Sequence, residues 1–438
     1  MSQEKKEIID EKPPSPWSSL WRKEDWWAVW LGFLVLALAA TRTVAWLPKM
    51  GKWTMDPNVS IKFGDIPYFI LLGFSLIVLT SIAIIAMKEK IRSYCLGFPI
   101  IYILAFISIL ISNQKTINEW GLEYVIWALI FGLVIGNIIG MPKWVKPAVK
   151  TELFIKIGLV LLGAEILFNT ILSAGSLGMI QAIVVVFLVF YFCYFLAIKA
   201  GLGKSFASIL SAGVSICGVS AAIAAGGAVK GDPKEVSYAI SLVLLVAMPM
   251  LILMPMIARA VGIPDAVAGA WIGGTIDTTP AVVAAGALYS DKAMQVASLI
   301  KMSQNVLIGI TAFLLALYWV LKVERKPQER PSPVEIWYRF PKFVFGFIIA
   351  SMVFSLLLIP TMGDNSVSSI LNVTRGIRGW FFAMAFVCIG LDTKIIELVK
   401  IGRGKPLIVF LVAQIFNIFL TLLLAYALFG GIFFSPPL

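Results

Sequence analysis

The sequence predicts an all-α polytopic membrane protein, about 11 transmembrane helices plus two broken or re-entrant helical segments arranged as an inverted repeat. Three observations predict it. Of 438 residues, 60% are hydrophobic and 14% charged, where an ordinary soluble domain carries about 25% charged residues. Uncharged runs of the ~18 residues that a spanning helix needs, or longer, recur at 66–87, 95–112, 175–198, 205–229, 236–258, 343–363 and 406–438. Two segments rich in small residues also match one another at a fixed spacing.

Taken in order, spans are predicted near 27–47, 66–87, 95–112, 121–140, 152–173, 178–200, 235–259, 294–321, 339–360, 376–397 and 405–431. The unusual segments lie at 205–229 and 267–289. Residues 1–26 are charged and Pro-containing. They lack the order of a cleaved signal peptide and read as a cytoplasmic tail ending in an interfacial cluster, Trp17, Trp21, Trp26 and Trp27. Residues 27–120 then form additional N-terminal spans, 121–321 a first part containing both broken segments, 322–338 a cytoplasmic linker, and 339–438 the C-terminal spans.

With the N-terminus inside, Lys88, Lys90, Arg92, Lys143, Lys146, Lys150, Lys199 and Lys204 fall on the cytoplasmic side, as do the charges of the linker. The positive-inside bias supports that orientation. It also explains the net charge of +12, so no nucleic-acid partner is expected. Cys95, Cys193, Cys217 and Cys388 are scattered among apolar spans without metal-ligand spacing and read as reduced, small hydrophobes. No His is present. Any proton coupling must therefore run through a carboxylate or a Lys.

The first unusual segment reads SAGVSICGVSAAIAAGGAVKGDPKEVSYAI from Ser211, the second GGTIDTTPAVVAAGALYSDKAMQVASLI from Gly273. Shifted by 60 residues they match without a gap, with identities at Ile216/Ile276, Ala221/Ala281, Ala224/Ala284, Ala225/Ala285, Gly226/Gly286, Val236/Val296 and Ile240/Ile300. A weaker echo pairs LLGAEILFNTI with CIGLDTKIIEL, aligning Gly163 with Gly390 and Glu165 with Asp392. Two topologies satisfy the charge rule, because two crossings or two re-entries leave every later loop on the same side. Re-entry is expected here: it makes the 60-residue repeat inverted across the membrane, as in secondary transporters whose broken helices meet near the midplane.

Several residues carry chemistry. Gly213, Gly218, Gly226 and Gly227 weaken any continuous helix by about 1 kcal/mol each relative to Ala, and Ser215-Ile216-Cys217-Gly218 reads as an unwound point presenting backbone N–H groups, with Ser220 next in line. The bland alternative is close packing of small residues in lipid. Thr275-Ile-Asp277-Thr278-Thr279-Pro280 is a helix start inside a hydrophobic segment, since Pro suits the first helical position. Asp277 is an ionisable group at membrane depth, where such groups pair or line cavities. With Thr275, Thr278 and Thr279 it offers oxygen donors for Na⁺, or a proton site. Glu165 is a second coupling-ion candidate. Lys301, followed by Gln304 and Asn305, has three readings: partner of Asp277 or Glu165, ligand of an anion, or structural pair. Asp392, near a helix end, reads as structural. Arg375 and Arg378 read as interfacial anchors.

No enzyme constellation is visible and no cofactor is implied beyond Na⁺ as a coupling ion. From about Gly121 onward, SAGVSICGVSAAIAA at 211–225, WIGGTIDTTPAVVAAG at 271–286, Lys301-Met302 and the small residues of 383–390 resemble the YeiH-like sulfate exporter family of prokaryotic inner-membrane proteins. That resemblance implies secondary active transport of a small anion by an elevator mechanism, a mobile core holding both broken segments, a homodimeric scaffold and a multi-pass place in the cytoplasmic membrane. The chain departs from familiar members at Glu165 and in the Thr-Ile-Asp-Thr-Thr run. The expected substrate class is therefore sulfate, organosulfonate or carboxylate, coupled to Na⁺ or H⁺. The alternatives are a cation/proton antiporter without organic substrate and a non-transporting membrane receptor.

Overall fold

The computed structural model describes residues 20–21, 23–119, 123–323, 332–394, 404–431 and 433–434. Most of the predicted N-terminal tail, residues 324–331 of the linker and residues 395–403 lie outside the described residues. The helices are α1 (Glu24–Ala40), α2 (Ile66–Ala86), α3 (Ile91–Ser112), α4 (Tyr124–Val134), α5 (Thr151–Glu165), α6 (Phe168–Lys199), α7 (Lys204–Ala212), α8 (Val219–Ala228), α9 (Pro233–Val261), α10 (Asp265–Thr275), α11 (Thr279–Tyr289), α12 (Asp291–Tyr318), α13 (Phe343–Met352), α14 (Asp364–Asp392) and α15 (Lys405–Phe429). Among the described residues, eight helical stretches are long and apolar enough to cross a membrane. Three shorter ones, α1, α5 and α4 with its π-helical extension Ile135–Gly140, occupy the remaining expected positions.

The largest differences from the sequence reading fall at two span boundaries. The spans placed at 152–173 and 178–200 divide instead after Glu165, and α6 runs for 32 residues. The division is held by side chains that replace the lost helical bonds: Ser351 Oγ donates to the Ile166 carbonyl at 2.5 Å, and Phe168 N donates to Ser355 Oγ at 3.0 Å. The span placed at 376–397 begins at Asp364, directly after Gly363 at φ +77°. Its polar first turn reads as loop in sequence. Packing of the buried residues that follow, from Val367 onward, keeps it helical.

Both unusual segments are hairpins. Ser205 Oγ at the start of α7 donates to Glu235 Oε2 at the start of α9 (3.1 Å), and Phe206 stacks on Tyr238 at 5.8 Å. The chain that enters through α7 therefore returns through α8 to the same end of α9. At the other end of α9, Arg259 Nη2 donates to the carbonyls of Leu288 and Tyr289 (2.6 and 3.0 Å), and Tyr289 Oη donates to the Ile263 carbonyl. The α10–α11 hairpin thus enters from the opposite end. α8 and α11 start 60 residues apart, the spacing of the repeat. The two hairpins point at each other from the two ends of a 29-residue helix, about 43 Å long at 1.5 Å per residue.

Basic residues mark one end of the bundle. Lys150 pairs with Glu89, Lys394 donates to the Gly136 carbonyl, Lys405 donates to the Ala200 carbonyl at 3.3 Å, and Lys342 N donates to Asp25 Oδ2 at 3.1 Å. The α7–α8 hairpin opens toward this basic end.

Around the hairpins, α5 and α14 cross antiparallel, with Gly158 admitting the ring of Phe382. Their ends use the echoed glycines alike: Gly163 lies against the Phe347 carbonyl on α13, and Gly390 against Leu129 and Gly132 on α4. Without a hydrophobic driving force between helices in lipid, such backbone contact is what small residues supply. A Cβ at Gly390 would sit 2.6 Å from the Leu129 carbonyl oxygen and 2.7 Å from Gly132 Cα, whereas one at Gly175 on α6 meets nothing within 4 Å. Opposite signs are expected. Gly175→Ala should gain up to about 1 kcal/mol of helix propensity, whereas Gly390→Ala should lose about 1–3 kcal/mol to overpacking. The melting temperatures of the two variants in detergent, one raised and one lowered, check this.

Candidate functional site

The two hairpin tips touch. Gly218 turns the first tip at φ +60°, a conformation that favours glycine, and a Cβ there would lie 3.3 Å from both Asp277 Cβ and the Asp277 carbonyl oxygen. Residues 213–217 remain wound as a π-helical turn, with Gly218 N donating to the Gly213 carbonyl at 3.0 Å. The expectation of an unwound 215–218 is thus corrected: the break is confined to Gly218. Ser215 Oγ is spent on the Ser211 carbonyl (2.7 Å), so Ser215 does not face a ligand. The second tip is the extended link Ile276 to Thr278, where Thr278 Oγ1 caps α11 by accepting from Ala281 N at 3.4 Å.

A helix ending inside a low-dielectric core leaves carbonyls without partners. Here, buried side chains supply the donors. Lys301 Nζ donates to the Ile216 carbonyl (2.6 Å) and to Gln304 Oε1 (2.9 Å), and Gln304 Nε2 donates to the Gly274 carbonyl (3.0 Å). The Thr275 carbonyl accepts from Gln414 Nε2 (2.8 Å) and Asn417 Nδ2 (3.4 Å), and Gln181 Nε2 donates to the Ala270 carbonyl (2.8 Å). Lys301 is 1% exposed and bonds to neither Asp277 nor Glu165. Of its three sequence readings, the structure shows a joint that ties α12 to the first tip. Gln304, like Lys301, lies behind the tips and not at an open surface.

In front of the tips is a cavity of about 560 Å³. Cys217, Val219 and Ser220 line it from the first hairpin, and Thr278, Thr279, Pro280 and Ala281 from the second, with Asn305 beside them. Asn305 Nδ2 donates to Thr279 Oγ1 at 3.1 Å. The N-termini of α8 and α11 both open onto this space, bringing two positive helix ends to one place. The structure therefore joins Cys217, Ser220, Thr278, Thr279 and Asn305 at the cavity. It sets Ile216, Gly218, Thr275, Asp277, Lys301 and Gln304 in the layer behind.

Toward the basic end the walls are charged by Asp25, Glu152, Lys156, Asp392 and Lys394. Lys156 Nζ lies 2.8 Å from Asp25, 3.1 Å from Glu24 and 3.4 Å from Glu152. The sequence reading missed this cluster. Its signal is a Lys inside the apolar stretch of α5, four residues after Glu152. Gln414, Asn417 and Thr421 were also missed, although their spacing of three and four places one polar stripe on the otherwise apolar α15.

Glu165 is corrected outright. It ends α5 far from the tips' cavity and pairs with α14: Arg375 Nε donates to Oε2 at 3.1 Å, and Arg378 Nε lies 2.8 Å from Oε1 without hydrogen-bond alignment. The Glu165 side chain is 1% exposed, which makes it a buried ion pair and not an open ion ligand. Arg375 and Arg378, read in sequence as interfacial anchors, both pair with Glu165, Arg378 buried and Arg375 still half exposed. Asp392, assigned a structural role in sequence, lines the cavity instead.

The family model described as "Conserved hypothetical protein 698" matches residues 96–410. The chain is 42% identical to a UPF0324 membrane protein of Rhodopirellula baltica, over 88% of this chain and 72% of that one. It is 41% identical to a UPF0324 membrane protein of Nitratidesulfovibrio vulgaris, over 79% of this chain and 61% of that one. A UPF0324 membrane protein of Nitrosomonas europaea is 31% identical over 94% of both chains. No solved structure matches. With a family model covering most of the bundle, and relatives matched over most of the chain, this multi-pass protein belongs to the UPF0324 membrane protein family.

Proposed function

We propose that the protein is a secondary active transporter of a small anion such as sulfate, an organosulfonate or a carboxylate, coupled to Na⁺ or H⁺, and not an enzyme. The observation that carries this reading is the cavity into which the N-termini of two opposed half-helices open, with the hydroxyls of Ser220, Thr278 and Thr279 and the amide of Asn305 around it. Two helix ends of about half a positive charge each suit one anionic group. Lys301 adds a buried positive charge behind the tips. The resemblance to YeiH-like sulfate exporters points the same way.

Opposed hairpins on a pseudo-symmetric frame support alternating access. The cavity opens toward the basic end, which the positive-inside rule assigns to the cytoplasm of a prokaryotic inner membrane, with the N-terminus on that side. At the opposite end Glu165, Arg375 and Arg378 hold α5 to α14. An elevator in which the tips move between the two ends, in a homodimer embedded in lipid, fits this arrangement. A cation/proton antiporter is the second reading, because acidic groups outnumber basic ones among the charged residues of the cavity, Asp25, Glu152 and Asp392 against Lys156 and Lys394.

Two measurements test the proposal. Purified protein in liposomes should take up radiolabelled sulfate or methanesulfonate, and Lys301→Met, if correctly folded, should lower uptake at least about tenfold, the equivalent of 1.4 kcal/mol in transition-state or binding energy. Proton flux driven by a Na⁺ gradient without any of these anions would favour the antiporter. For sidedness, Ser220→Cys in a background lacking the four native cysteines should react with a membrane-impermeant maleimide only from the cytoplasmic face, and excess transported anion should slow the reaction. Labelling from the other face alone would reverse the assigned orientation.

A further inference from the structure

We infer that a monovalent cation of the Na⁺ class binds at the break between α10 and α11, held by Thr275, Asp277 and Gln414, and that it binds together with the anion. The inference rests on the transport reading above and adds to it a site, a third ligand and a reason for coupling.

Three buried oxygens on residues at this break have no hydrogen-bond partner: Thr275 Oγ1, Asp277 Oδ2 and Gln414 Oε1. Thr275, Asp277 and Gln414 are 1%, 1% and 2% exposed. Thr275 ends α10 and Asp277 follows two residues later in the break, so both belong to the same turn of chain. Gln414 is anchored to the same residue, because its Nε2 donates to the Thr275 carbonyl at 2.8 Å. That donation fixes the amide, leaving Oε1 as the free end. Asn417 beside it is spent, donating to the Thr275 carbonyl and accepting from Thr421 at 2.8 Å. Unpartnered buried oxygens cost about 1–3 kcal/mol each. A hard cation satisfies all three at once, because it takes oxygen ligands of this kind.

The charges at the tips supply the coupling. Asp277 and Lys301 are the ionisable side chains behind the tips, each 1% exposed, and with both charged they sum to zero. A cation alone would leave one uncompensated positive charge in a low-dielectric interior, and an anion alone a negative one. Each is expensive there. Bound together, a cation beside Asp277 and a monoanion at the cavity restore neutrality, so each raises the affinity of the other. A dianion requires a second positive charge.

The test uses the full chain purified in detergent, melted in gluconate salts of Na⁺, K⁺ and N-methylglucamine at equal ionic strength, with and without sulfate or methanesulfonate. Na⁺ should raise the melting temperature, and the anion should raise it further only where Na⁺ is present. Thr275→Val and Gln414→Leu should each raise the half-saturating Na⁺ concentration about tenfold, as loss of about 1.4 kcal/mol requires, and Thr275→Ser should restore it. A melting temperature that responds to the anion equally in all three cations overturns the cation site and leaves the anion reading standing. The same holds if it responds to pH and not to Na⁺. A Na⁺ response lost in both variants, with no anion effect in any salt and no sulfate flux, supports the cation site and rejects the anion reading. A Na⁺ response unchanged in both folded variants overturns the assignment.

Discussion

The rest of the structure depends on one constraint: a backbone broken inside a bilayer must have its carbonyls answered. Two helices stop at Gly218 and at Ile276, deep in the bundle, and their last carbonyls would be unsatisfied in lipid. Lys301, Gln304, Gln414 and Asn417 answer them from α12 and α15. These side chains also decide which helices must stay together. α12 is tied to both tips and α15 to the second, so hydrogen bonds join tips, α12 and α15 into one unit.

The frame outside that unit is built differently. α5 and α14 are held by shape, with Phe382 in the notch of Gly158 and with Gly163 and Gly390 allowing α13 and α4 to approach their backbones. Its polar contacts sit at the two ends, Lys156 among three carboxylates toward the basic end and Glu165 between two arginines at the other. Removing Arg378 from the buried Glu165 pair leaves an unpaired charge, which costs more than the pair contributes. Both clusters fasten α5, one to α1 and one to α14.

A division of labour among the sequence-selected residues follows. Thr278 and Thr279 start a helix and present hydroxyls to the cavity, whereas Lys301 and Gln304, read as ligands, keep the tips in shape. The same chemistry, an ammonium and an amide in an apolar helix, serves either role. Only the geometry of their donors separates the two.

The sequence by itself determined that the chain lives in a membrane, that residues 205–229 and 267–289 repeat at 60 residues, and that both are broken. Composition and backbone chemistry suffice for that, because a bilayer tolerates few charges and helices tolerate few glycines and prolines. Tertiary structure alone decided that the hairpins return to opposite ends of α9, through contacts such as Ser205 with Glu235 and Arg259 with Leu288. It also decided that Glu165 belongs to Arg375 and Arg378, 210 and 213 positions away, and that Gln414 reaches Thr275 across 139. Such pairings leave no local periodicity or propensity to read. They exist only once distant helices pack, and burial then makes each polar atom find whatever partner lies within reach.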